Sequence, residues 1–207
     1  LATQAGLAVL AKGGNAFDAA VAVSAALAVV EPAGSGLGGG GFWLLHQAGN
    51  NKTIMIDGRE TAPGLAHRDM YLDANGNADP KLSLNGPLAA GIPGLPAALD
   101  HISQHYGQLT LAQSLAPAIN YARDGFTISE HYQKLAQFRV GALQASPAAA
   151  SIFLDDNQVP ESGFLLVQND LANTLEQLAN HGRAGFYQGP IADKLIKGVQ
   201  ASGGIWQ

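Results

Sequence analysis

The strongest constraint on the fold is a glycine-rich block at residues 34–42, which reads Gly-Ser-Gly-Leu-Gly-Gly-Gly-Gly-Phe. An alanine-rich apolar segment precedes it, and the apolar run Phe42–Leu45 follows it. Glycines this dense allow the backbone to turn sharply, or to approach another segment more closely than a Cβ atom would permit. Because both flanks are apolar, we expect the block to be a tight turn fixed in a core rather than a flexible linker.

The block formally contains the Gly-x-Gly-x-x-Gly pattern of dinucleotide-binding loops, at Gly34, Gly36 and Gly39. In such sites the pattern follows a strand and opens a helix whose N-terminus binds the pyrophosphate. Here the predicted order is helix first and strand second, and no Gly-Lys-Ser/Thr follows. The sequence therefore argues against a nucleotide-binding site.

Local patterns predict a buried helix before the block and a β-hairpin after it. Asn15 is predicted to cap a helix over 16–30, with Asp18 near the positive end of that helix. The apolar runs 42–46 and 52–57, joined by a Gly-Asn-Asn turn, predict the hairpin. Because both strands are apolar on successive residues, we expect helices to cover both faces of the sheet.

Beyond the hairpin, the sequence predicts a mainly helical region. Residues 1–94 are interpreted as the sheet part, and 95–207 as the helical part, of a single domain. The alanine-rich stretch Ala145–Ser151 is interpreted as an internal boundary. Helices are predicted at 95–106, 111–123, 129–140, 170–181 and 191–201, with a short extended piece at 165–167.

One loop superficially matches a calcium-binding sequence. The stretch Asp73–Asp79 is rich in Asp and Asn, but it lacks the glycine required at the sixth loop position. Leu84 also occupies the place of the twelfth-position glutamate. We expect a plain turn at Asn75-Gly76 instead.

Composition excludes several classes of function. The formal net charge of -5 provides no basic stripe, so nucleic acid and anionic membranes are poor partners. The chain has no cysteine, which excludes disulfides, thiolate catalysis and thiolate metal sites. No apolar run approaches membrane-spanning length. No histidine is expected to belong to a metal-binding pair, and we expect no metal and no cofactor. The six histidines are interpreted as ordinary surface or core residues; they are His46, His67, His101, His105, His131 and His181.

Three long segments of the chain form a recognisable set of motifs. They are Lys-Gly-Gly-Asn-Ala-x-Asp-Ala-Ala-Val-Ala at 12–22, Glu-Pro-Ala-x-Ser-Gly-Leu-Gly-Gly-Gly-Gly-Phe at 31–42 and Ile-Asp-x-Arg-Glu-x-Ala-Pro at 56–63. Shorter segments of the same set lie at 4–6, 91–94, 105–107, 115–119, 122–126 and 185–189. In this order along the whole chain, these segments resemble the γ-glutamyltransferase (γ-glutamyl transpeptidase) family.

This resemblance implies an N-terminal-nucleophile (Ntn) hydrolase, and hence a partial α-β-β-α sandwich of mixed α/β class. Such enzymes cleave themselves into a large and a small chain, and the N-terminal threonine of the small chain attacks the γ-glutamyl amide. The implied substrate is a γ-glutamyl compound such as glutathione. The resemblance also implies that Arg59 binds the α-carboxylate of the substrate, with Glu60 steadying it. The alternative for Arg59 is a structural salt bridge with Asp57 or Glu60.

The resemblance does not supply a nucleophile within this chain, so we expect no catalytic residue here. Leu1 cannot serve, and none of the six threonines has the processing context of the family; they are Thr3, Thr53, Thr61, Thr110, Thr127 and Thr174. We therefore expect residues 1–207 to be a fragment of the large chain that is inactive alone, that pairs with the small subunit, and that self-associates through uncovered apolar faces.

Two alternatives remain open on the sequence. The parent protein could be a related acylase that acts on glutaryl or other acyl amides, or the fragment could be a non-catalytic binding or assembly module. The resemblance also implies export, to the periplasm or outside the cell.

Overall fold

The computed structural model describes residues 1–207 and has a mixed α/β fold, as predicted. The strands form two separate two-stranded antiparallel sheets, β1 with β2 and β3 with β4. The strands are β1 (Gly41–Gln47), β2 (Lys52–Gly58), β3 (Phe126–Thr127) and β4 (Leu165–Leu166). The helices are α1 (Ala2–Ala11), α2 (Ala16–Val30), α3 (Pro80–Leu84), α4 (Leu95–Tyr106), α5 (Leu111–Asp124), α6 (Glu130–Gln144), α7 (Pro147–Phe153), α8 (Asn169–His181), α9 (Arg183–Tyr187) and α10 (Gly189–Ala201), with a 3-10 helix at Pro87–Ala89.

The chain divides into two compact units, each built from two segments. The first unit comprises Leu1–Gly36 and Leu99–Asn180, and the second comprises Leu37–Ala98 and His181–Gln207. The first is almost entirely helical, whereas the second contains the β1–β2 hairpin. The organisation of residues 1–207 as sheet and helical parts of one domain stays a prediction.

Helix α2 is the centre of the first unit. Helices α1 and α5 both pack against it. Its Val21, Ala22, Ala25, Ala26 and Val29 are fully buried. Small side chains on nearly every face let neighbouring helices approach closely, and a helix of this composition is stable only when packed in this way.

The predicted cap of α2 at Asn15 is confirmed, and a buried carboxylate also fixes the start of this helix. Asn15 and Asp18 form a reciprocal capping box, in which the Asn15 backbone N–H donates to Asp18 Oδ2 at 2.9 Å. The carboxylate of Asp18 also accepts hydrogen bonds from the backbone N–H groups of Gln108, at 2.9 Å, and Leu109, at 3.3 Å. Asp18 is fully buried. It therefore links the N-terminus of α2 to the loop after α4.

We expect Asp18→Asn to lower the free energy of unfolding by about 2 kcal/mol, because hydrogen bonds to a charged acceptor contribute about 1.5–3 kcal/mol each. The amide also replaces one acceptor oxygen with an NH₂ donor that would face backbone N–H groups. Urea unfolding followed by circular dichroism measures the loss. Asp170→Asn is the matched control, since Asp170 also lies in the first turn of a helix but is exposed. It should cost less than about 1 kcal/mol, and equal effects at the two sites would contradict this account.

The predicted internal boundary at Ala145–Ser151 is wrong, because Leu99–Asn180 lies within one compact unit and most of this stretch belongs to helix α7. Ser146 caps α7 by accepting a hydrogen bond from the Ala149 N–H at 3.3 Å, and Pro147 occupies the first helical turn. Proline is favourable there because its fixed φ suits the helix and the missing N–H would have no helical partner. The alanine-rich stretch therefore forms a helix rather than an internal boundary.

The five predicted helices are confirmed, with ends that differ by up to four residues. The predicted extended piece at 165–167 is strand β4, which pairs with β3. No helix in the chain combines the length and the apolar character needed to cross a lipid bilayer.

The plain turn predicted at Asn75-Gly76 is also confirmed. The carboxylate of Asp73 accepts hydrogen bonds from the backbone N–H groups of Asn77 and Asn75, both at 2.9 Å. Both hydrogen bonds lower the pKa of the Asp73 carboxyl group, and the one from Asn77 has the larger effect. Gly76 has a φ of 81°, which glycine adopts without strain. The Asp73 carboxylate thus stabilises the turn through hydrogen bonds to the backbone of its own loop.

Candidate functional site

The β1–β2 hairpin carries Arg59 directly beyond its second strand. The strands pair from Gly41 with Gly58 at the open end to Gln47 with Lys52 at the turn, which confirms the predicted hairpin. Arg59 therefore leaves the hairpin beside the glycine block, at the end where the block enters β1.

The expectation that both faces of the hairpin are covered is wrong for residues 1–207. Leu45 is buried on one face. On the other face, Phe42 is 55% exposed, Leu44 is 70% exposed and Met55 is 58% exposed. Successive apolar residues indicated two buried faces, but a sheet of only two strands has packing partners in this chain on one side alone. The open face is therefore an apolar surface.

The glycine block packs directly against the backbone that presents Arg59, here called the Arg59 segment (residues 58–60). A Cβ atom at Gly40 would lie 2.8 Å from Arg59 Cα and 2.9 Å from the Glu60 backbone nitrogen, and it would overlap the Gly58 carbonyl oxygen. Only glycine allows this approach. The block is therefore close-packed at Gly40, as predicted for a tight turn, whereas Gly38, the first of the four consecutive glycines, faces open space.

Gly94 packs against the same segment at the start of α4. A Cβ atom on Gly94 would overlap the Gly58 carbonyl and lie 2.5 Å from the Arg59 carbonyl oxygen. The N–H groups of Gly94 and Leu95 both donate to the Gly39 carbonyl at 3.0 Å. The glycine block, the Arg59 segment and the start of α4 thus form one close-packed backbone arrangement.

The chain after the Arg59 segment is held by a pair of reciprocal backbone hydrogen bonds. The Thr61 N–H donates to the Ile92 carbonyl at 3.1 Å, and the Ile92 N–H donates back to the Thr61 carbonyl at 2.8 Å. Gly91 lies beside this bridge, where a Cβ atom would be 3.0 Å from Glu60 Cβ. The backbone on both sides of Arg59 is therefore fixed.

Tyr187 of α9 reinforces the start of α4. Its hydroxyl donates to the Pro93 carbonyl at 2.7 Å and accepts the Ala97 N–H at 3.3 Å. Burial raises the pKa of Tyr187, although the Ala97 hydrogen bond and the positive charge of Arg183 act in the opposite direction. The hydroxyl is therefore protonated at neutral pH and can donate to the carbonyl.

The guanidinium of Arg59 is exposed and forms no ion pair within the chain. The carboxylate of Asp57 instead accepts the backbone N–H of Arg59 at 3.0 Å. The structural salt bridge considered for Arg59, with Asp57 or Glu60, is therefore not formed. A rigid backbone carrying an exposed guanidinium is an arrangement suited to bidentate binding of a carboxylate.

The interpretation of all six histidines as ordinary residues overlooked one pair. His101 and His105 lie four residues apart on α4, a His-x-x-x-His spacing that could have been read from the sequence. Their rings stack, with centroids 4.1 Å apart and an angle of 27° between the ring planes. The chain contains no cluster of three or more His, Asp or Glu side chains arranged for a metal ion.

Comparison with known sequences identifies one protein family over nearly the whole chain. The profile of the family described as gamma-glutamyltranspeptidase matches residues 2–207. The chain is 42% identical over 205 residues to a glutathione hydrolase proenzyme of Escherichia coli (strain K12). That alignment covers 99% of this chain but 35% of the relative, so the chain spans only about a third of the length of such a protein.

Comparison with solved structures agrees with the sequence comparison. The gamma-glutamyltranspeptidase of Helicobacter pylori superposes with a TM-score of 0.96 at 40% identity, covering 100% of this chain and 59% of that chain. A cephalosporin acylase from Bacillus halodurans superposes with a TM-score of 0.82 at 31% identity, covering 100% and 39%. These similarities confirm the predicted fold class, a partial Ntn-hydrolase fold of mixed α/β type. From its family match and from these similarities, the chain belongs to the gamma-glutamyltranspeptidase family.

Proposed function

We propose that residues 1–207 are the substrate-carboxylate-binding part of the large subunit of a glutathione hydrolase, in which Arg59 binds the α-carboxylate of the γ-glutamyl group. The observation that carries this proposal is the Arg59 segment itself. Its backbone is enclosed by Gly40 and Gly94, while its guanidinium is exposed and free of internal ion pairs. A cation held in this way can form two parallel N–H···O bonds with one carboxylate.

The chemistry of the whole enzyme follows from fixing that carboxylate. With the α-carboxylate held, the γ-carbonyl carbon is placed at a set distance for attack by a hydroxyl oxygen. The threonine O–H proton passes to the threonine's own amine, a C–O bond forms, and the C–N bond breaks as the leaving amine takes up a proton. Water or an acceptor amine then attacks the resulting ester and releases glutamate or a new γ-glutamyl amide.

The nucleophile in this proposal lies outside residues 1–207, on the small subunit. Two observations support this assignment: no threonine here has the processing context of the family, and E. coli glutathione hydrolase is much longer than the aligned region. Residues 1–207 alone are then inactive. The exposed face of Phe42, Leu44 and Met55 makes self-association of the isolated chain the expected behaviour. By analogy with the family, the full protein acts in the periplasm or outside the cell.

A second candidate is an acylase that removes glutaryl or similar groups from amines. The similarity to a cephalosporin acylase favours it. Arg59 could bind the single free carboxylate of a glutaryl group by the same two hydrogen bonds. The two candidates differ in whether the substrate carries an α-amino group beside the bound carboxylate. A non-catalytic module has no structural feature in its favour.

The experiment that decides is an assay of the full-length protein on matched chromogenic amides. We expect release of p-nitroaniline from γ-glutamyl-p-nitroanilide, much slower release from glutaryl-p-nitroanilide, and none from either with purified residues 1–207. A preference for the glutaryl amide would establish the acylase instead. Turnover of either amide by residues 1–207 alone would refute an external nucleophile.

A further inference from the structure

We propose that His101 and His105 form a two-histidine chelating site on α4 for a late first-row divalent cation, namely Cu²⁺, Ni²⁺ or Zn²⁺. The site is separate from the Arg59 segment and does not depend on the proposed function. It rests on the spacing of the two residues, the exposure of their rings and a hydrogen bond that orients one of them.

The spacing brings the two rings to within reach of one ion. Residues four apart on a helix lie on the same face, about 5–6 Å apart at Cβ. The ring centroids are already 4.1 Å apart. Two nitrogens bound tetrahedrally to Zn²⁺ at about 2.0–2.1 Å are roughly 3.4 Å apart. The rings stack at 27°, so their in-plane lone pairs run nearly parallel, and both side chains have to rotate to direct a nitrogen at one ion. Because both residues are exposed, no core residue has to move.

A hydrogen bond selects the tautomer that a metal requires. Nδ1 of His105 lies 2.9 Å from the backbone carbonyl oxygen of His101. A carbonyl oxygen only accepts, so Nδ1 of His105 must carry the hydrogen, and Nε2 then carries the free lone pair. Metal-binding histidines are commonly oriented by this kind of N–H donation to a backbone carbonyl. The ring of His105 is therefore prepared to bind through Nε2.

The chemistry of the pair determines which cations it accepts. Imidazole nitrogen suits Cu²⁺, Ni²⁺ and Zn²⁺, and affinity rises towards Cu²⁺ in the divalent series. Ca²⁺ and Mg²⁺ prefer oxygen ligands and should not compete. With two protein ligands, the remaining positions are filled by water, so the site is open and reversible.

The test is calorimetric titration of the purified chain with CuCl₂ and with NiCl₂ in a buffer that does not chelate. We expect one equivalent of tight binding that weakens more than tenfold in His101→Ala and in His105→Ala. The matched control is His131→Ala, which removes a single exposed histidine from α6 and should leave the affinity unchanged. Circular dichroism verifies that each variant is folded.

A second measurement does not depend on heats of binding. A cation that binds only the folded chain raises Tm as its concentration increases. We expect Ni²⁺ to raise the Tm of the wild type and of His131→Ala, but not that of the double variant His101→Ala/His105→Ala. Equal Tm shifts in the double variant and the wild type, or no binding by the wild type, would overturn the proposal.

Discussion

Arg59→Ala in the full-length protein is expected to lower kcat/KM for γ-glutamyl-p-nitroanilide by about 100-fold or more. Each hydrogen bond to a charged group contributes about 1.5–3 kcal/mol, and a bidentate pair is lost. Because every 1.36 kcal/mol corresponds to a tenfold change in rate, losses of this size remove at least two orders of magnitude. Steady-state release of p-nitroaniline measures the effect, and KM should rise because the substrate loses its anchor.

Arg68→Ala is the matched control for this substitution. Arg68 is also an exposed arginine of the same unit, but its guanidinium is paired with Asp69 at 2.9 Å. Exposed ion pairs contribute little, so the control should change kcat/KM by less than about twofold. Arg59→Lys should recover only part of the activity, because an ammonium lacks the planar fork of guanidinium.

A substrate without the α-carboxylate separates binding from misfolding. For 4-aminobutyryl-p-nitroanilide, which keeps the amino group and lacks the carboxylate, wild type and Arg59→Ala should have similar kcat/KM values. If Arg59→Ala impaired both substrates equally, the role of Arg59 would be structural rather than ligand binding.

Local sequence signals predicted those elements whose causes are local. The capping residues Asn15 and Asp18 fixed the start of α2, and the pattern around 42–57 fixed the hairpin. The short helices α3 and α9 were not predicted, since five residues are too few to give a periodic signal. Coverage of the hairpin could not be predicted either, because it depends on which other elements pack against it.

The surroundings of Arg59 also depend on contacts between distant parts of the chain, which local sequence signals do not reveal. Its place after the hairpin follows from the sequence, but the backbone that packs against it comes from Gly40 and Gly94, which are far apart in the chain. Tyr187, still further along, holds the start of α4 beside Gly94. A glycine run indicates close packing without naming what is packed. The sequence therefore singled out Arg59 and predicted a close-packed glycine turn. Only the fold shows that the glycines pack against the backbone that carries Arg59.

Gly40→Ala tests that connection and should lower the free energy of unfolding by about 3 kcal/mol. The added Cβ would meet Arg59 Cα, the Glu60 nitrogen and the Gly58 carbonyl oxygen, all of them backbone atoms. No flexible side chain can move aside, so the Arg59 segment itself has to shift. Overpacking of this kind typically costs about 1–3 kcal/mol, and backbone neighbours place this site at the upper end.

Gly38→Ala, two residues earlier in the same block, is the matched control. No atom lies within 4 Å of the position of its added Cβ, and its φ is not in the left-handed region. It should be neutral, or stabilise by up to about 1 kcal/mol by restricting the unfolded chain. Urea unfolding followed by tryptophan fluorescence suits both variants, because Trp43 and Trp206 both lie in the second unit.

The pair of variants also links stability to substrate binding. In the full-length protein, Gly40→Ala should raise KM for γ-glutamyl-p-nitroanilide at temperatures where it is still folded, since the shifted backbone misplaces the guanidinium. Gly38→Ala should leave KM unchanged. If both variants unfolded at the same urea concentration, Gly40 would not pack against the Arg59 segment as described, and the requirement for glycine at the third position of the run would need another cause.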